Sequence, residues 1–338
     1  MHGRFCFQGE YLVSQQKTAL VTGAGGFIGS HLVNYLADKG YRVCGVDTKK
    51  SEFMEVNADE FLLRDLREWD DCLEVSRNVD EVYTLAANMG GIGFIESVHA
   101  PILHDNVLIN THMIEAARGN GVETYFYASS ACVYPTFMQE DSDVPGLKED
   151  DAYPADPDNE YGWEKLFTER VCLSYARDYG MTTRIARFHN IYGPQGTWRG
   201  GREKAPAALC RKVAETPTGG EIEIWGDGEQ TRSFCYIDDC LKGIYRLMHS
   251  DCAEPLNIGS DELIKINDLV DLIADIAGKR LEKKHLLDKP QGVRGRNSNN
   301  DKIKEVLDWA PSTSLREGFE KTYRWIEKEV KRTRGEDD

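Results

Sequence analysis

Tyr161 and Lys165 stand four residues apart in the run Tyr161-Gly162-Trp163-Glu164-Lys165, and on a helix that spacing puts both side chains on one face. An ammonium beside a phenol stabilises the phenolate and draws the phenol from its usual pKa of about 10 toward the range of a general base. Taken alone, the pair also fits an ordinary exposed helix face. Ser130 closes the apolar run YFYASS and is placed to hydrogen-bond a substrate hydroxyl shared with Tyr161. Two positions on lies Cys132, one of nine cysteines. Most free cysteines behave as small buried hydrophobes, but the carboxyl edge of a parallel sheet is where ligands bind. Lys204, in GGREKAPAA, reads by itself as a solvated charge.

Upstream, Gly23, Gly26 and Gly29 form G-x-x-G-x-x-G within Thr22-Gly23-Ala24-Gly25-Gly26-Phe27-Ile28-Gly29. The string follows an expected strand and opens an expected helix. Such a turn lets the backbone approach a pyrophosphate and aims a helix N-terminus at it; a merely structural turn needs only one or two of the glycines. Gly25, Phe27 and Ile28 belong to the same expected cofactor contact. Asp47 ends the second strand, eighteen residues past Gly29. An acid there accepts from an adenosine ribose diol and repels a 2′-phosphate, favouring NAD over NADP. Lys49 and Lys50, just beyond, soften that exclusion. Asp65 and Leu66 are expected at the adenine. Ala86, Ala87 and Gly90 follow the fourth strand, at the edge facing the cofactor.

These residues need a scaffold, and the sequence supplies one. TALVTG, YRVCGVD, EFLLRDL, VDEVYTLAA and TYFYASS read as strands, interleaved with helical patterns at SHLVNYLADKG, NVLINTHMIEAARGNG and from Tyr161 to near Tyr179. Apolar runs alternating with helices imply an α/β fold, a Rossmann-type doubly wound parallel sheet, with a smaller mixed α/β C-terminal lobe. The expected division is 1–188 with 233–251 for the NAD-binding domain, and 189–232 with 252–338 for the nucleotide-sugar lobe. SFCYIDDCLKGIYRLMHSD (233–251) reads as a strand–helix unit returning to the first sheet, and KRTRGEDD as a frayed, solvated tail.

The 338 residues carry 41 Lys+Arg against 57 Asp+Glu, a net charge of −16. That balance opposes a general nucleic-acid or anionic-membrane binder. No apolar stretch of about 18 residues is present to span a bilayer, and the first seventeen residues lack a secretory apolar core. The nine cysteines form no C-x-x-C pair, so they read as reduced thiols of a cytoplasmic protein. No His, Cys or carboxylate spacing matches a metal site, and His189 reads as a structural histidine. One local excess of positive charge interrupts the acidic average: Arg199, Arg202, Lys204, Arg211 and Lys212 fall within fourteen residues. They read as a solvated face or, with Arg232, Arg294 and Arg296, as a pyrophosphate clamp, since guanidinium forks match phosphate oxygens.

TGAGGFIG, LAA, SSACVYP and YGWEK together resemble the extended short-chain dehydrogenase/reductase family that modifies nucleotide sugars, from about Lys17 to Trp325. IWGDGEQTRSF (224–234) is similar to that family's sugar-nucleotide segment and LNIGSD (256–261) to a further strand of it. NMGGIGFI, SSACVYP, RFHNIYGPQGTWRGGREKAPAA and GVRGRNS resemble the branch that inverts C3 and C5 of GDP-mannose. The resemblance implies bound NAD, GDP-mannose and related GDP-hexoses as substrates, and a homodimer. It also implies that Cys132 and Lys204 are the acid/base pair beside Tyr161, Lys165 and Ser130. The implied sugar-nucleotide contacts are Gly90, Ser130, Cys132, Asn190, Glu203, Lys204, Ala205, Lys212, Gln230, Arg232, Arg294 and Arg296. Oxidation at C4 would make the C3 and C5 protons acidic, inversion would need a base and an acid on opposite ring faces, and the returned hydride would leave no net redox change. The products would be GDP-L-galactose, or GDP-L-gulose from C5 alone. Three competing readings remain: an NADPH-dependent epimerase-reductase like GDP-fucose synthase, a 4,6-dehydratase, and a catalytically dead NAD-binding sensor. Asp47 and Lys204 disfavour the first, and Ala131-Cys132, standing where dehydratases carry an acidic pair, disfavours the second. Ser130, Tyr161 and Lys165 disfavour the third.

Overall fold

The described residues, 16–336 of this computed structural model, alternate strands and helices. Strand β1 (Thr18–Thr22) leads to α1 (Phe27–Asp38), β2 (Arg42–Asp47), β3 (Glu60–Leu63), α2 (Trp69–Val75), β4 (Glu81–Thr84), the single turn α3 (Ile92–Ile95), α4 (Ala100–Gly119) and β5 (Thr124–Ser130). There follow α5 (Glu160–Tyr179), β6 (Thr182–Phe188), β7 (Ile191–Tyr192), α6 (Ala205–Glu215), β8 (Glu221–Trp225), β9 (Thr231–Ser233), β10 (Cys235–Tyr236) and α7 (Ile237–Met248). The chain continues through β11 (Leu256–Ile258), β12 (Leu263–Lys265), α8 (Ile266–Ile276), β13 (Glu282–Leu286), β14 (Gly295–Arg296), α9 (Asp301–Leu307) and α10 (Leu315–Arg334).

Seven strands form one wholly parallel sheet in the order β11-β6-β5-β4-β1-β2-β3. A parallel sheet covered on both faces needs strands that are apolar on both. In β1, Ala19 and Val21 enter one core layer and Leu20 the other; in β5, Phe126 and Ala128 divide in the same way from Tyr125 and Tyr127. Strand order reverses between β1 and β4, which opens the crevice where doubly wound sheets bind ligands. The Thr22 hydroxyl, at the end of β1, accepts from the Leu85 and Ala86 amides, both at 3.2 Å, and fixes that crevice.

The smaller lobe holds the parallel pair β8–β13 and the sheet β12-β9-β14. Its core is continuous with one face of the large sheet: Leu209, Val213, Ile224, Leu269 and Phe319 belong to the same buried cluster as Ala19 and Val21. The structure therefore departs from a clean break at residue 188. Leu256–Ile258, assigned from the sequence to the smaller lobe, is the edge strand of the central sheet, paired with Ala186–Phe188. The 233–251 unit is also split. Helix α7 buries Ile237, Cys240, Leu241, Ile244, Leu247 and Met248 at helical spacing, whereas β10 pairs with β7 in a separate two-stranded sheet. Two further differences concern ends. Helix α1 begins at Phe27, one turn before the expected Ser30, and α10 runs to Arg334, closed by Gly335 at φ 69°, where a frayed tail was expected. No helix among the described residues is long and apolar enough to cross a membrane. Among them, the cysteines from Cys44 to Cys252 are free; Cys6 and the start of the first seventeen residues lie outside the described residues.

Candidate active site

The glycine turn is held by its neighbours. Gly23 has φ +71°, and a Cβ there would lie 2.8 Å from the Ala86 amide nitrogen; a Cβ on Gly29 would strike the Gly23 carbonyl. Only glycine allows both the left-handed turn and the close seating of α1 upon it. Gly26 caps α1 without a side-chain partner, so the first amides of Phe27 and Ile28 face the crevice as orphan donors suited to an anion. The Phe27 ring packs against Gly196 in the loop beyond β7. Asp47 Oδ2 accepts from Gly25 N at 2.9 Å, which places its carboxylate against the turn. Turn, helix terminus and terminal acid fit a dinucleotide: pyrophosphate at the amides and ribose at Asp47. The adenine end is less open. Arg67 takes both Asp65 oxygens, with Nε at 3.0 Å from Oδ1, and pulls that carboxyl below its ordinary range. Leu66 is in the core, and its carbonyl accepts from the Cys72 thiol at 3.1 Å.

Ser130 ends β5, and its Oγ accepts from Cys132 N at 3.2 Å, starting a short 3-10 turn that carries the thiol. Helix α5 is capped by Asn159, whose Oδ1 accepts from Gly162 N at 3.0 Å. Its inner stripe brings Tyr161, Lys165 and Cys172 against β5. Lys165 is 3% exposed, so its charge needs partners. Nζ stands 5.4 Å from the Tyr161 ring centre, 4.9 Å from that of Tyr127, and 3.6 Å from Glu164 Oε1. Burial pushes the Tyr161 phenol well above its ordinary value; the Glu164 and Cys132 charges push the same way and Ser130 opposes them.

Arg296 reaches the thiol from the other lobe, with Nη1 donating to Cys132 Sγ at 3.4 Å and Nε to Gln139 Oε1 at 2.6 Å. Gln139 itself is buried, donating to the Tyr134 and Pro135 carbonyls at 3.0 and 3.1 Å. Arg232 donates only to backbone carbonyls of Thr231, Gln291 and Val293. Burial pulls its pKa to about 9, still a cation at neutral pH. Gln230 donates to Trp225 O at 3.0 Å, and its buried Oε1 has no partner among the described residues.

Lys204 occupies the N-cap position of α6. Gly91 N donates to Arg202 O at 3.0 Å, and a Cβ on Gly91 would strike the Glu203 carbonyl, so the 88–95 loop and the 202–204 segment meet backbone to backbone. Gly90 serves that loop by admitting the Phe94 side chain. Lys204 is exposed to solvent. Desolvation by neighbouring protein atoms draws its pKa below the ordinary value, and the Cys132 and Cys240 charges oppose that shift. Ala205 is exposed beside it.

The expected basic clamp is divided. Arg211 Nη2 and Nη1 take Glu203 and Glu215 at 3.1 and 3.0 Å. Arg199 donates to Thr333 at 3.3 Å, and with Arg211 and Arg334 it lines a separate cavity of about 370 Å³. Lys212 donates to Glu223 O at 2.7 Å, and Arg294 pairs with Asp227 at 2.7 Å. Glu203 is occupied by Arg211 and the Gly201 amide. Asn190 sits at φ 45° with Nδ2 on Ser233 O at 2.8 Å. The clamp is thus divided: Arg211 is taken by acids of its own segment and Lys212 by a backbone carbonyl, while Arg199 turns toward α10. His189 is fully buried, with Nε2 2.9 Å from Asn257 Oδ1, and burial lowers its pKa to about 3. Among the described residues no acidic, His or Cys cluster could hold a metal ion.

The sequence reading assigned no role to Glu164, Gln139, Asn106 or Asn110. The two asparagines are four apart on α4 and both donate to Glu164, Asn106 at 3.0 Å and Asn110 at 3.2 Å. Polar residues at i, i+4 inside an otherwise apolar helix face were the available signal.

Residues 19–259 match the family described as NAD dependent epimerase/dehydratase. The chain is 51% identical, over 325 residues, to a GDP-mannose 3,5-epimerase of Arabidopsis thaliana, covering 96% of this chain and 85% of that protein. In fold it is similar to UDP-glucose 4-epimerase with UDP-glucose from Thermotoga maritima, at TM-score 0.83 and 28% identity, covering 93% of this chain and 99% of that one. It is also similar to UDP-glucuronic acid 4-epimerase from Bacillus cereus in complex with UDP-glucuronic acid and NAD. There the TM-score is 0.78 and the identity 27%, covering 92% of this chain and 99% of that one.

Proposed function

The chain belongs to the NAD dependent epimerase/dehydratase family, and from that membership we propose that it inverts C3 and C5 of GDP-mannose to give GDP-L-galactose, with inversion at C5 alone giving GDP-L-gulose. The observation that carries the proposal is the Arg296–Cys132 contact of 3.4 Å, a guanidinium seated on a thiol at the crevice. A 4-epimerase inverts C4 by hydride transfer and has no need of an acid/base thiol, whereas inversion by removing and replacing a carbon-bound proton requires a base and an acid. The likeness at 51% identity to a protein named for this reaction supports the substrate.

Unactivated sugar C–H bonds are too weakly acidic for any side chain. When bound, NAD supplies oxidation at C4 and its reversal, which leaves C3 and C5 beside a carbonyl in between. Tyr161 accepts the C4 hydroxyl proton and later returns it, with Lys165 and Ser130 beside it to support the phenolate. Cys132 Sγ takes the carbon proton as the thiolate and becomes the neutral thiol, with the Arg296 guanidinium set against the sulfur's negative charge before the transfer. Lys204 delivers a proton to the opposite ring face. Asp47 selects an unphosphorylated ribose, and Arg232, held among the described residues by carbonyl oxygens, meets the sugar-nucleotide pyrophosphate with Arg296. Conversion of GDP-mannose without added cofactor, followed by NMR of the sugar, tests the reading; an unchanged sugar sinks it.

A homodimer completes the proposal. Leu103 on α4 and Trp163 and Phe167 on α5 are 40%, 46% and 48% exposed, large apolar side chains on two packed helices that a second copy would cover. Light scattering at the monomer mass contradicts this.

A further inference from the structure

The mechanism above leaves Glu164 without a task, although it lies deeper than any group assigned one. Its carboxylate is sealed from solvent. Oε1 accepts from Asn106 Nδ2 at 3.0 Å and Oε2 from Asn110 Nδ2 at 3.2 Å, while Lys165 Nζ stands 3.6 Å from Oε1. Asn106 also ties the carboxylate to the ligand-side loop: its Oδ1 accepts from Asn88 N at 2.6 Å and its Nδ2 donates to Asn88 O at 3.2 Å. A buried carboxylate is costly unless it is hydrogen-bonded and paired, and here the pairing partner is the catalytic lysine. The titratable groups that face this pair are Tyr161, Tyr127, Cys172 and Cys132; α4 presents the neutral amides of Asn106 and Asn110.

In a reaction with no net redox change, Tyr161 must lose its extra proton as readily as it gains it. A buried, unopposed Lys165 would hold Tyr161 as a phenolate too weakly basic to take the C4 hydroxyl proton, and the keto stage would not form. We propose that Glu164 is a positioning residue: it holds Lys165 Nζ and offsets its charge, so that Tyr161 keeps enough proton affinity to take the C4 hydroxyl proton. Burial and the Glu164 charge both raise the Tyr161 phenol, in the direction this role requires. The proton moves from the C4 hydroxyl to Tyr161 and back, and the two electrons of the C4–H bond leave with the hydride to bound NAD and return with it. The role rests on the reading of Tyr161 as the group that cycles the C4 hydroxyl proton.

The test uses NAD-loaded protein. Without sugar, Tyr161 is titrated by phenolate absorbance, with Tyr161→Phe identifying the signal. Glu164→Gln is expected to move that titration about one pH unit lower, a tenfold change. With GDP-mannose added, the same variant is expected to reach severalfold less reduced-nicotinamide absorbance than wild type. Adding Asn110→Asp to Glu164→Gln returns a carboxylate to the same pocket and restores both readings. Asn110→Ala, which removes a hydrogen bond and keeps the charge, moves neither. Glu164→Ala is carried in parallel, so that one misfolded variant does not decide the outcome. An unmoved titration in a folded variant that retains NAD, or an equal shift in Asn110→Ala, overturns the proposal. Because the titration contains no sugar, its result is separate from the identity of the substrate.

Discussion

Arg296 Nη1 donates to Cys132 Sγ at 3.4 Å across 164 positions of sequence. Cys132 follows β5 of the central sheet and Arg296 belongs to β14 of the smaller one, so neither lobe holds the pair alone. Gln139 at 2.6 Å from Nε fixes the guanidinium fork. A lysine cannot bond Gln139 and the sulfur together. Losing a hydrogen bond to a charged group costs about 1.5–3 kcal/mol, so Arg296→Lys is expected to slow product formation about 10- to 100-fold. Steady-state rates near wild type would remove Arg296 from the chemistry.

Cys132→Ala and Lys204→Ala are each expected to lower product formation by about 10²- to 10⁴-fold, the usual worth of a general base or acid. Both should bind GDP-mannose within a few-fold of wild type by calorimetry. Affinity lost in step with rate would make them binding residues.

Asp47→Ala removes the ribose acceptor and frees Gly25 N, to which Oδ2 bonds at 2.9 Å. NAD should be retained at least tenfold more weakly, measured as cofactor occupancy after dialysis. Unchanged occupancy contradicts the ribose contact.

His189 predicts acid sensitivity. Burial first, and the Arg296 and Arg187 charges next, hold its pKa near 3 in the folded state, against 6.5 for an ordinary histidine. Between those values the unfolded chain binds a proton that the fold refuses. The fold is therefore unpenalised above pH 6.5 and loses about 1.4 kcal/mol per unit as pH falls below it. His189→Gln keeps a donor for Asn257 and removes that titration, so its denaturation midpoint should decline less than wild type between pH 6.5 and about pH 5. Parallel declines would place the acid sensitivity elsewhere.

The buried pair Arg187–Glu169, at 2.7 Å, illustrates what sequence does and does not disclose. The strands and helices that carry it follow from apolar periodicity, as do the glycine turn and the Tyr161–Lys165 face. Nothing in the periodicity says that Ser129, Glu169 and Arg187 interlock β5, α5 and β6, because a buried polar residue breaks the pattern that reveals a helix. Strand β11 reads as a strand from the resemblance but was assigned to the smaller lobe, because nothing in its three residues says which sheet they join. The basic cluster at 199–212 failed for another reason: charge density along a chain does not say which acid each base meets, and Arg211 met Glu203 and Glu215. Cys132 became distinctive only through a residue 164 positions away.

The central claim is that the chain exchanges the carbon-bound protons of GDP-mannose at C3 and C5. Protein incubated with GDP-mannose in deuterated water, with no cofactor added, should yield sugar carrying solvent deuterium at both carbons and none at C4, with no net reduced nicotinamide. Deuterium at neither carbon, in protein that retains NAD, would contradict the account.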